Sequence, residues 1–350
     1  MLVCFTGGGT LGHIYPALAV HEVLLETQDY SAFWIGRENA RERAAVEQAG
    51  IPFYPIQSGK FRRYRSWRNF TDIFRIIQAY FQAIILLRKT RPDVLFSKGG
   101  FVSVPPVFAA KTLGIRVLTH ESDSSPGLAT RLNSRCADVV CVPFKGSEGT
   151  LPAKKVVVTG NPLRSVLFLE KDISQFTIPS DMPMLLVLGG SQGSVEINAL
   201  VRENLKRLCS LAFVIHQCGE ADFKHMEHEN YCPVSLLGEE LGTLYRRSAL
   251  VVSRGGAGTI AELLAFGCAS LIIPLSMATS RGDQVDNAQR LFEKGAAVAL
   301  LGIVNKEIFL HEVENLLENP LKRGILSKNA QELAVAGSAE MIASLIRKGE

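Results

Sequence analysis

Three glycine-rich stretches each follow a short β-branched run and precede a helical pattern. That arrangement points backbone N–H groups and the positive end of a helix dipole at whatever sits there. The stretches are Thr6-Gly7-Gly8-Gly9-Thr10-Leu11-Gly12-His13, Leu188-Gly189-Gly190-Ser191-Gln192-Gly193 and Ser253-Arg254-Gly255-Gly256-Ala257-Gly258-Thr259. Binding of a phosphate or diphosphate is the chemistry such loops suit. Gly7-x-Gly9-x-x-Gly12 also satisfies the dinucleotide fingerprint, so a nicotinamide oxidoreductase is a rival reading. The acidic residue expected at the end of the next strand is missing, because Ala32–Ile35 runs into Gly36-Arg37-Glu38. A turn serving only to pack the backbone is the third alternative. His13, beside the first loop, is a candidate general base, since an imidazole titrates near neutrality. It could equally cap the loop or bond substrate. Thr259-x-x-Glu262 fits a capping box, with Glu262 bonded back to the helix start; otherwise that carboxylate is placed to hold a ribose diol beside a phosphate.

Further polar clusters close predicted strands: Ser97-Lys98-Gly99-Gly100, His120-Glu121-Ser122-Asp123 and, after Ile272-Ile273-Pro274, Arg281-Gly282-Asp283-Gln284-x-x-Asn287. Each taken singly is ordinary loop chemistry. Their joint placement at strand ends of both halves predicts a site in a cleft between two domains. No two aspartates stand two positions apart, so a D-x-D metal site is absent. The seven cysteines are scattered and form no C-x-x-C pair, which fits neither a zinc site nor a disulfide framework and suggests a reducing cytoplasm.

Short strands alternating with apolar-periodic helices predict α/β architecture with parallel sheets. Strands are expected at Leu2–Phe5, Ala32–Ile35, Val94–Phe96, Arg116–Thr119, Val139–Val142 and Val156–Val158, then at Met184–Leu188, Phe213–Gln217, Leu250–Ser253, Ser270–Ile273 and Val298–Leu301. The pattern restarts after Gly160-Asn161-Pro162, which divides the 350 residues into domains 1–160 and 161–337; the helix expected at 338–350 could pack on either. With 47% hydrophobic and 21% charged residues most of the chain reads as packed; no apolar run is long enough for a spanning helix, and Met1 leads straight into the strand-like Leu2-Val3-Cys4-Phe5 without a basic n-region, so no signal peptide is expected.

The net charge of +4 is unevenly spread: Lys60–Arg91 holds nine basic residues and one acid, so the remainder is net negative. Within it, Arg62, Arg63, Arg65 and Trp67 belong to a run of cations interleaved with aromatics, which suits an anionic lipid interface and is a poor footprint for nucleic acid. Phe70, Ile73, Phe74, Ile77, Phe81, Ile84 and Ile85 then recur at helical spacing. That stripe reads either as a core helix or as part of the docking surface.

Taken together, Thr6–Pro16, Ser97–Ser103, His120–Asp123 with Pro126-Gly127-Leu128, Gly160–Arg164, Gly189–Gly193, Arg254–Glu262 and Asp283-Gln284-x-x-Asn287-Ala288 resemble the MurG family, in the family's order and over nearly the whole chain. The resemblance implies the GT-B fold, two Rossmann-like domains with parallel sheets facing across a cleft. It implies transfer of N-acetylglucosamine from UDP-GlcNAc to undecaprenyl-pyrophosphoryl-MurNAc-pentapeptide with inversion, at the cytoplasmic face of the bacterial inner membrane and beside other cell-wall synthesis proteins. By resemblance, Gly256, Ala257, Gly258 and Thr259 approach the UDP, Glu262 holds its ribose, Arg164, Ser191 and Gln192 line the donor site, Gln284 bonds the sugar and Gly238 lies at the uracil. Thr10, Leu11, Gly12 and Asp123 adjoin the donor, Gly99 and Gly100 the acceptor; His13, Asp123 and Glu121 are the catalytic candidates. Neither cofactor nor obligatory metal is expected. Two departures stand out: Leu11 replaces a common glycine, and His120-Glu121-Ser122-Asp123 replaces His-Glu-Gln-Asn. The alternatives in kind are a UDP-GlcNAc 2-epimerase, another lipid-linked sugar transferase, the nicotinamide oxidoreductase, or a silent sugar-nucleotide binder.

Overall fold

A computed structural model describes residues 1–59, 67–148, 151–152, 155–190, 192–223, 226, 228–275 and 282–348, with only the backbone for 67–71. The chain divides into two compact units, Met1–Ser122 with Pro126–Arg164 and Val335–Glu350, and Asp123–Ser125 with Ser165–Ala334. The division therefore falls four residues later than the Gly160-Asn161-Pro162 signal, and the segment carrying Asp123 counts with the second unit.

In the first unit the β-branched runs form β1 (Leu2–Thr6), β2 (Ser31–Gly36), β3 (Phe53–Pro55), β4 (Val94–Ser97), β5 (Arg116–His120), β6 (Val139–Val142) and β7 (Val156–Val158). Among the described residues they make one parallel sheet in the order β3-β2-β1-β4-β5-β6-β7. Between them run α1 (Tyr15–Leu24), α2 (Ala40–Gln48), α3 (Trp67–Thr90), α4 (Val104–Thr112) and α5 (Leu128–Asn133). Alternating side chains of β1 serve opposite faces: Val3 and Phe5 pack with α1, Cys4 with Ala79 and Ala83 of α3 and with α4. Both faces are thus covered, as a parallel sheet requires.

The second unit repeats the plan with β8 (Met184–Leu188), β9 (Phe213–Gln217), β10 (Tyr231–Val234), β11 (Leu250–Ser253), β12 (Ser270–Ile272) and β13 (Val298–Ala299), parallel in the order β10-β9-β8-β11-β12-β13. Its helices are α6 (Val195–Glu203), α7 (Leu205–Leu211), α8 (Leu241–Arg247), α9 (Ala257–Ala265), α10 (Asp283–Glu293), α11 (Lys306–Glu318) and α12 (Pro320–Leu333). The final helix, α13 (Ser338–Arg347), belongs to the first unit, where Ile342, Ala343 and Ile346 enter the core beside α1. Arg116 donates to the Leu345 and Ile346 carbonyls at 2.8 and 3.1 Å, a cation closing a helix C-terminus.

Two strands were not expected from sequence. Both β3 and β10 are edge strands containing proline, at Pro55 and Pro233. Proline lacks the N–H a central strand needs, so the run loses its strand signature while an edge still tolerates it.

The 73–85 stripe of α3 faces mostly outward, with Ile84 half-buried against the core. Ala79, Ala83 and Leu87 form the buried seam, while Ile73, Phe74, Ile77, Phe81 and Ile85 are exposed. The small alanines let α3 lie close on the sheet, and the large residues are left outside. The core-helix alternative is thereby corrected for Ile73, Phe74, Ile77, Phe81 and Ile85. Arg62, Arg63 and Arg65 lie outside the described residues, as does the side chain of Trp67. No helix among the described residues is long and apolar enough to cross a membrane.

Candidate functional site

In the first unit, β1 ends at Thr6, whose hydroxyl donates to the Ile35 carbonyl at 2.9 Å, and the chain turns through the first glycine loop into α1. Gly9 has φ +103°, a conformation that favours glycine. Its N–H donates to Glu42 Oε1 at 2.9 Å. Glu42 is buried on α2, and burial raises its carboxyl while the Gly9 N–H and Arg37 oppose that shift. Sequence reading missed this brace, because nothing in Glu42's surroundings on an ordinary amphipathic helix announces it.

The loop after β4 lies directly against this one. A Cβ on Gly100 would overlap the Gly8 carbonyl and stand 3.4 Å from His13 Cδ2. Gly99 and Gly100, both at positive φ, therefore bring the second loop up to His13, which is half-buried. Thr10 and Gly12 are exposed and Leu11 half-buried beside it. Arg164 also belongs to this unit, its guanidinium 4.6 Å over the ring of Tyr15.

Beneath the loops lies a buried polar chain. Lys98, 1% exposed, donates from Nζ to His120 Nδ1 at 2.8 Å and to Ser122 Oγ, and His120 Nε2 donates to the Gly160 carbonyl at 2.8 Å. Burial first, then the Lys98 charge, hold His120 well below the usual histidine range, so it is neutral and fixed as the Nε2–H tautomer. Glu121 accepts from the N–H groups of Ser122 at 2.7 Å and Gly127 at 3.0 Å, and Asn161 donates to the Ser122 carbonyl at 3.0 Å. Those bonds make Glu121 a buried brace of the 121–127 turn.

In the second unit, α9 begins earlier than its sequence suggests. Gly256 is the N-cap without a side-chain cap bond, and Ala257, Gly258 and Thr259 form the first turn, whose N–H groups have no acceptor within the helix. Thr259 is inside the helix and cannot be the N-cap, which removes the capping-box alternative for Glu262. The Glu262 carboxylate instead accepts from the Tyr245 hydroxyl at 2.8 Å.

Arg254, nearly buried, donates to Glu196 at 2.9 Å, to the Ile273 carbonyl at 3.2 Å and to Ser194 Oγ. Ser194 is in turn the N-cap of α6. One guanidinium therefore ties the third glycine loop to the second and to the end of β12. Gln192 is exposed, whereas Ser191 lies outside the described residues. Gly193, at φ +78°, lies against the Cys218 carbonyl, where a Cβ would overlap it.

Gln217 donates to the Gly190 carbonyl at 2.9 Å and accepts from Leu237 N at 2.8 Å, fixing the Leu237-Gly238 stretch relative to that loop. The Gly238 N–H goes to Glu240 at 3.0 Å. Gln284 is the second residue of α10, its Oε1 accepting from Leu275 N at 3.0 Å and its backbone carbonyl packed on Gly255. Asn287, buried, donates to Asp123 Oδ1 at 3.0 Å and to the Gly255 carbonyl at 3.1 Å, and accepts from Ser124 N at 2.8 Å. Among the described residues no group of three or more His, Cys, Asp or Glu could hold a metal ion.

Comparison with known proteins matches the glycosyltransferase family 28 N-terminal domain to residues 3–142 and the family's C-terminal domain to residues 184–345. A UDP-N-acetylglucosamine–N-acetylmuramyl-(pentapeptide) pyrophosphoryl-undecaprenol N-acetylglucosamine transferase of Treponema denticola is 38% identical over 98% of this chain and 95% of its own. Its counterpart in Lachnospira eligens is 41% identical over 90% of each chain. The crystal structure of Acinetobacter baumannii MurG superposes with a TM-score of 0.76 at 26% identity, covering 99% of both chains. On these matches and the glycine-loop geometry of both units, the chain belongs to glycosyltransferase family 28, as a member of its MurG group.

Proposed function

We infer that this protein transfers N-acetylglucosamine from UDP-GlcNAc to the 4-hydroxyl of MurNAc in undecaprenyl-pyrophosphoryl-MurNAc-pentapeptide, the step that completes the disaccharide precursor of peptidoglycan. The observation that carries this reading is the near-full-length similarity to transferases of that activity, at 38% and 41% identity.

The residue roles follow from the chemistry each position can supply. The first turn of α9 offers N–H donors and the positive end of a helix dipole to the UDP diphosphate, and Glu262 accepts from the ribose diol. Gln284 and Gln192 meet the sugar side of the donor, with Ser191 immediately before Gln192 in sequence. Uracil meets the backbone at Gly238. The acceptor is held by the first unit, where Gly99 and Gly100 lie against His13, while the Thr10-Leu11-Gly12 segment that precedes His13 adjoins the donor. His13 takes the proton of the 4-hydroxyl as that oxygen forms its bond to the anomeric carbon. The bond from that carbon to UDP breaks, UDP leaves as an anion, and the α linkage becomes β. Glu121 is spent on backbone donors, which favours His13 for the base; Asp123, oriented by Asn287, is the second candidate.

Backbone donors and the Arg164 guanidinium neutralise the leaving diphosphate, so the reaction proceeds without an obligatory divalent ion. The protein works at an anionic membrane surface on the cytoplasmic side, where the outward stripe of α3 and the neighbouring basic run meet the lipid that carries the acceptor. The test is transfer of labelled GlcNAc from UDP-GlcNAc to a lipid-linked MurNAc-peptide, with and without excess chelator. Product formation unaffected by chelator is expected. Failure to transfer would refute the activity, and loss of transfer with chelator would refute the metal-free leaving group.

A further inference from the structure

Tyr245 stands at the end of α8, the helix that enters β11, while Glu262 lies on α9, the helix that leaves it. The phenol is 2% exposed, and its hydroxyl donates to Glu262 Oε2 at 2.8 Å. Its ring has one orientation. It stacks on Phe266 with centroids 5.3 Å apart and an interplanar angle of 26°, and Phe266 stacks in turn on Phe168 at 5.3 Å and 19°. Arg246 closes that stack, its guanidinium 5.0 Å over Phe266 while it donates to the Phe168 carbonyl at 2.6 Å. The Tyr245 carbonyl is tied down by Ser248 Oγ at 2.8 Å. A rigid aromatic ladder therefore aims a single O–H at one oxygen of a half-buried carboxylate.

A free glutamate carboxyl has a broad terminal torsion, so a ligand that needs both of its oxygens must first stop that rotation. A carboxylate has about four lone-pair sites, and a ribose diol uses two of them. One neutral donor on Oε2 can fix the plane and still leave acceptor capacity for both hydroxyls. Burial and the Glu262 charge raise the Tyr245 phenol far above its ordinary range, so it remains a donor throughout the working pH range.

From this geometry we infer that Tyr245 is a positioning residue for the donor ribose, holding the Glu262 carboxylate in the plane that receives the diol. The inference rests on the reading that Glu262 binds the ribose, and the test separates the two. In the full-length protein, affinities for UDP and for 2′,3′-dideoxy-UDP are measured by calorimetry in the parent, Tyr245→Phe, Glu262→Gln, Glu262→Asp and the Tyr245→Phe/Glu262→Gln double variant. The ratio of the two affinities reports the diol contact alone, because any general loosening of the fold affects both nucleotides.

Tyr245→Phe keeps the aromatic ladder. It is expected to lower the preference for UDP by about threefold to tenfold, with KM for UDP-GlcNAc rising to match and kcat within about twofold. Glu262→Asp, which shortens the carboxylate away from the phenol, should lower the preference at least as much. The double variant should lose no more than Glu262→Gln alone. If Glu262→Gln leaves the preference intact, the ribose reading itself falls and the inference with it. If Glu262→Gln abolishes the preference and Tyr245→Phe leaves it whole, or weakens both nucleotides equally, Tyr245 is only structural and the inference alone is overturned.

Discussion

Replacing Phe74 and Phe81 by serine together should detach the protein from membranes without touching its fold or its donor site. The two rings are 61% and 58% exposed on α3, so little of the first unit's core depends on them. Burying a side chain of this kind completely is worth about 1.5–3 kcal/mol. Scaled to the exposed fractions, inserting both rings into the lipid interface contributes about 2–3.5 kcal/mol, or roughly 30- to 300-fold in partitioning. The assay is sedimentation with vesicles containing anionic lipid, with UDP affinity and the melting temperature of the same preparations as controls. The double variant should lose vesicle binding by that factor and keep UDP affinity. It should also turn over a short-chain, water-soluble acceptor at the parental rate while failing on the long-chain one. Charge and apolar contributions separate by salt, since screening weakens the pull of the basic residues and leaves ring insertion intact. Reversing Arg62, Arg63 and Arg65 to Glu should remove the salt-sensitive part, about 1 kcal/mol per charge. A Phe74→Ser/Phe81→Ser protein that sediments like the parent, or a parent that prefers neutral lipid, would refute the docking role of this helix.

His13→Ala should reduce turnover by about 10²–10⁴-fold at unchanged UDP-GlcNAc binding; a rate within a few-fold of the parent would transfer the base role to Asp123. Glu42→Ala leaves the Gly9 N–H without its carboxylate and should raise the KM for acceptor with little effect on UDP affinity, which steady-state kinetics would show. Stability should fall in acid. Burial lowers the imidazoles of His21, His120 and His216, the last to about 4, whereas the unfolded rings titrate near 6.5. Below that value the unfolded chain binds more protons than the folded one, so stability present at neutral pH is lost as the pH drops, by about 2 kcal/mol near pH 5 for His216 alone. A melting temperature flat between pH 7.5 and pH 5 would contradict the neutral, buried state of these rings.

Much of this molecule is legible in one dimension. Strands such as Met184–Leu188 and Phe213–Gln217 coincide with their apolar runs, since a sheet buried on both faces demands continuous hydrophobic residues. The parallel, alternating architecture and the glycine loops at strand ends follow from the same local rules of alternation, turn chemistry and conformational freedom. What remained open were questions of which side a residue faces and what lies opposite it. The α3 stripe has the same spacing whether it is core or surface; contact between Ala79, Ala83 and the sheet decided that it faces out. Glu262 fits a capping box by spacing, yet α9 begins at Ala257, two residues before Thr259, and the carboxylate meets Tyr245, seventeen positions earlier in the chain. Glu121 looks like a free acid in sequence and is a brace in the fold. Local pattern determined the elements because propensity and periodicity act over a few residues. Tertiary structure alone decided the roles of Glu42, Arg254 and Tyr245, because each acts through a partner brought near by the folding of a parallel sheet, whose neighbouring strands are separated in sequence by whole crossover helices.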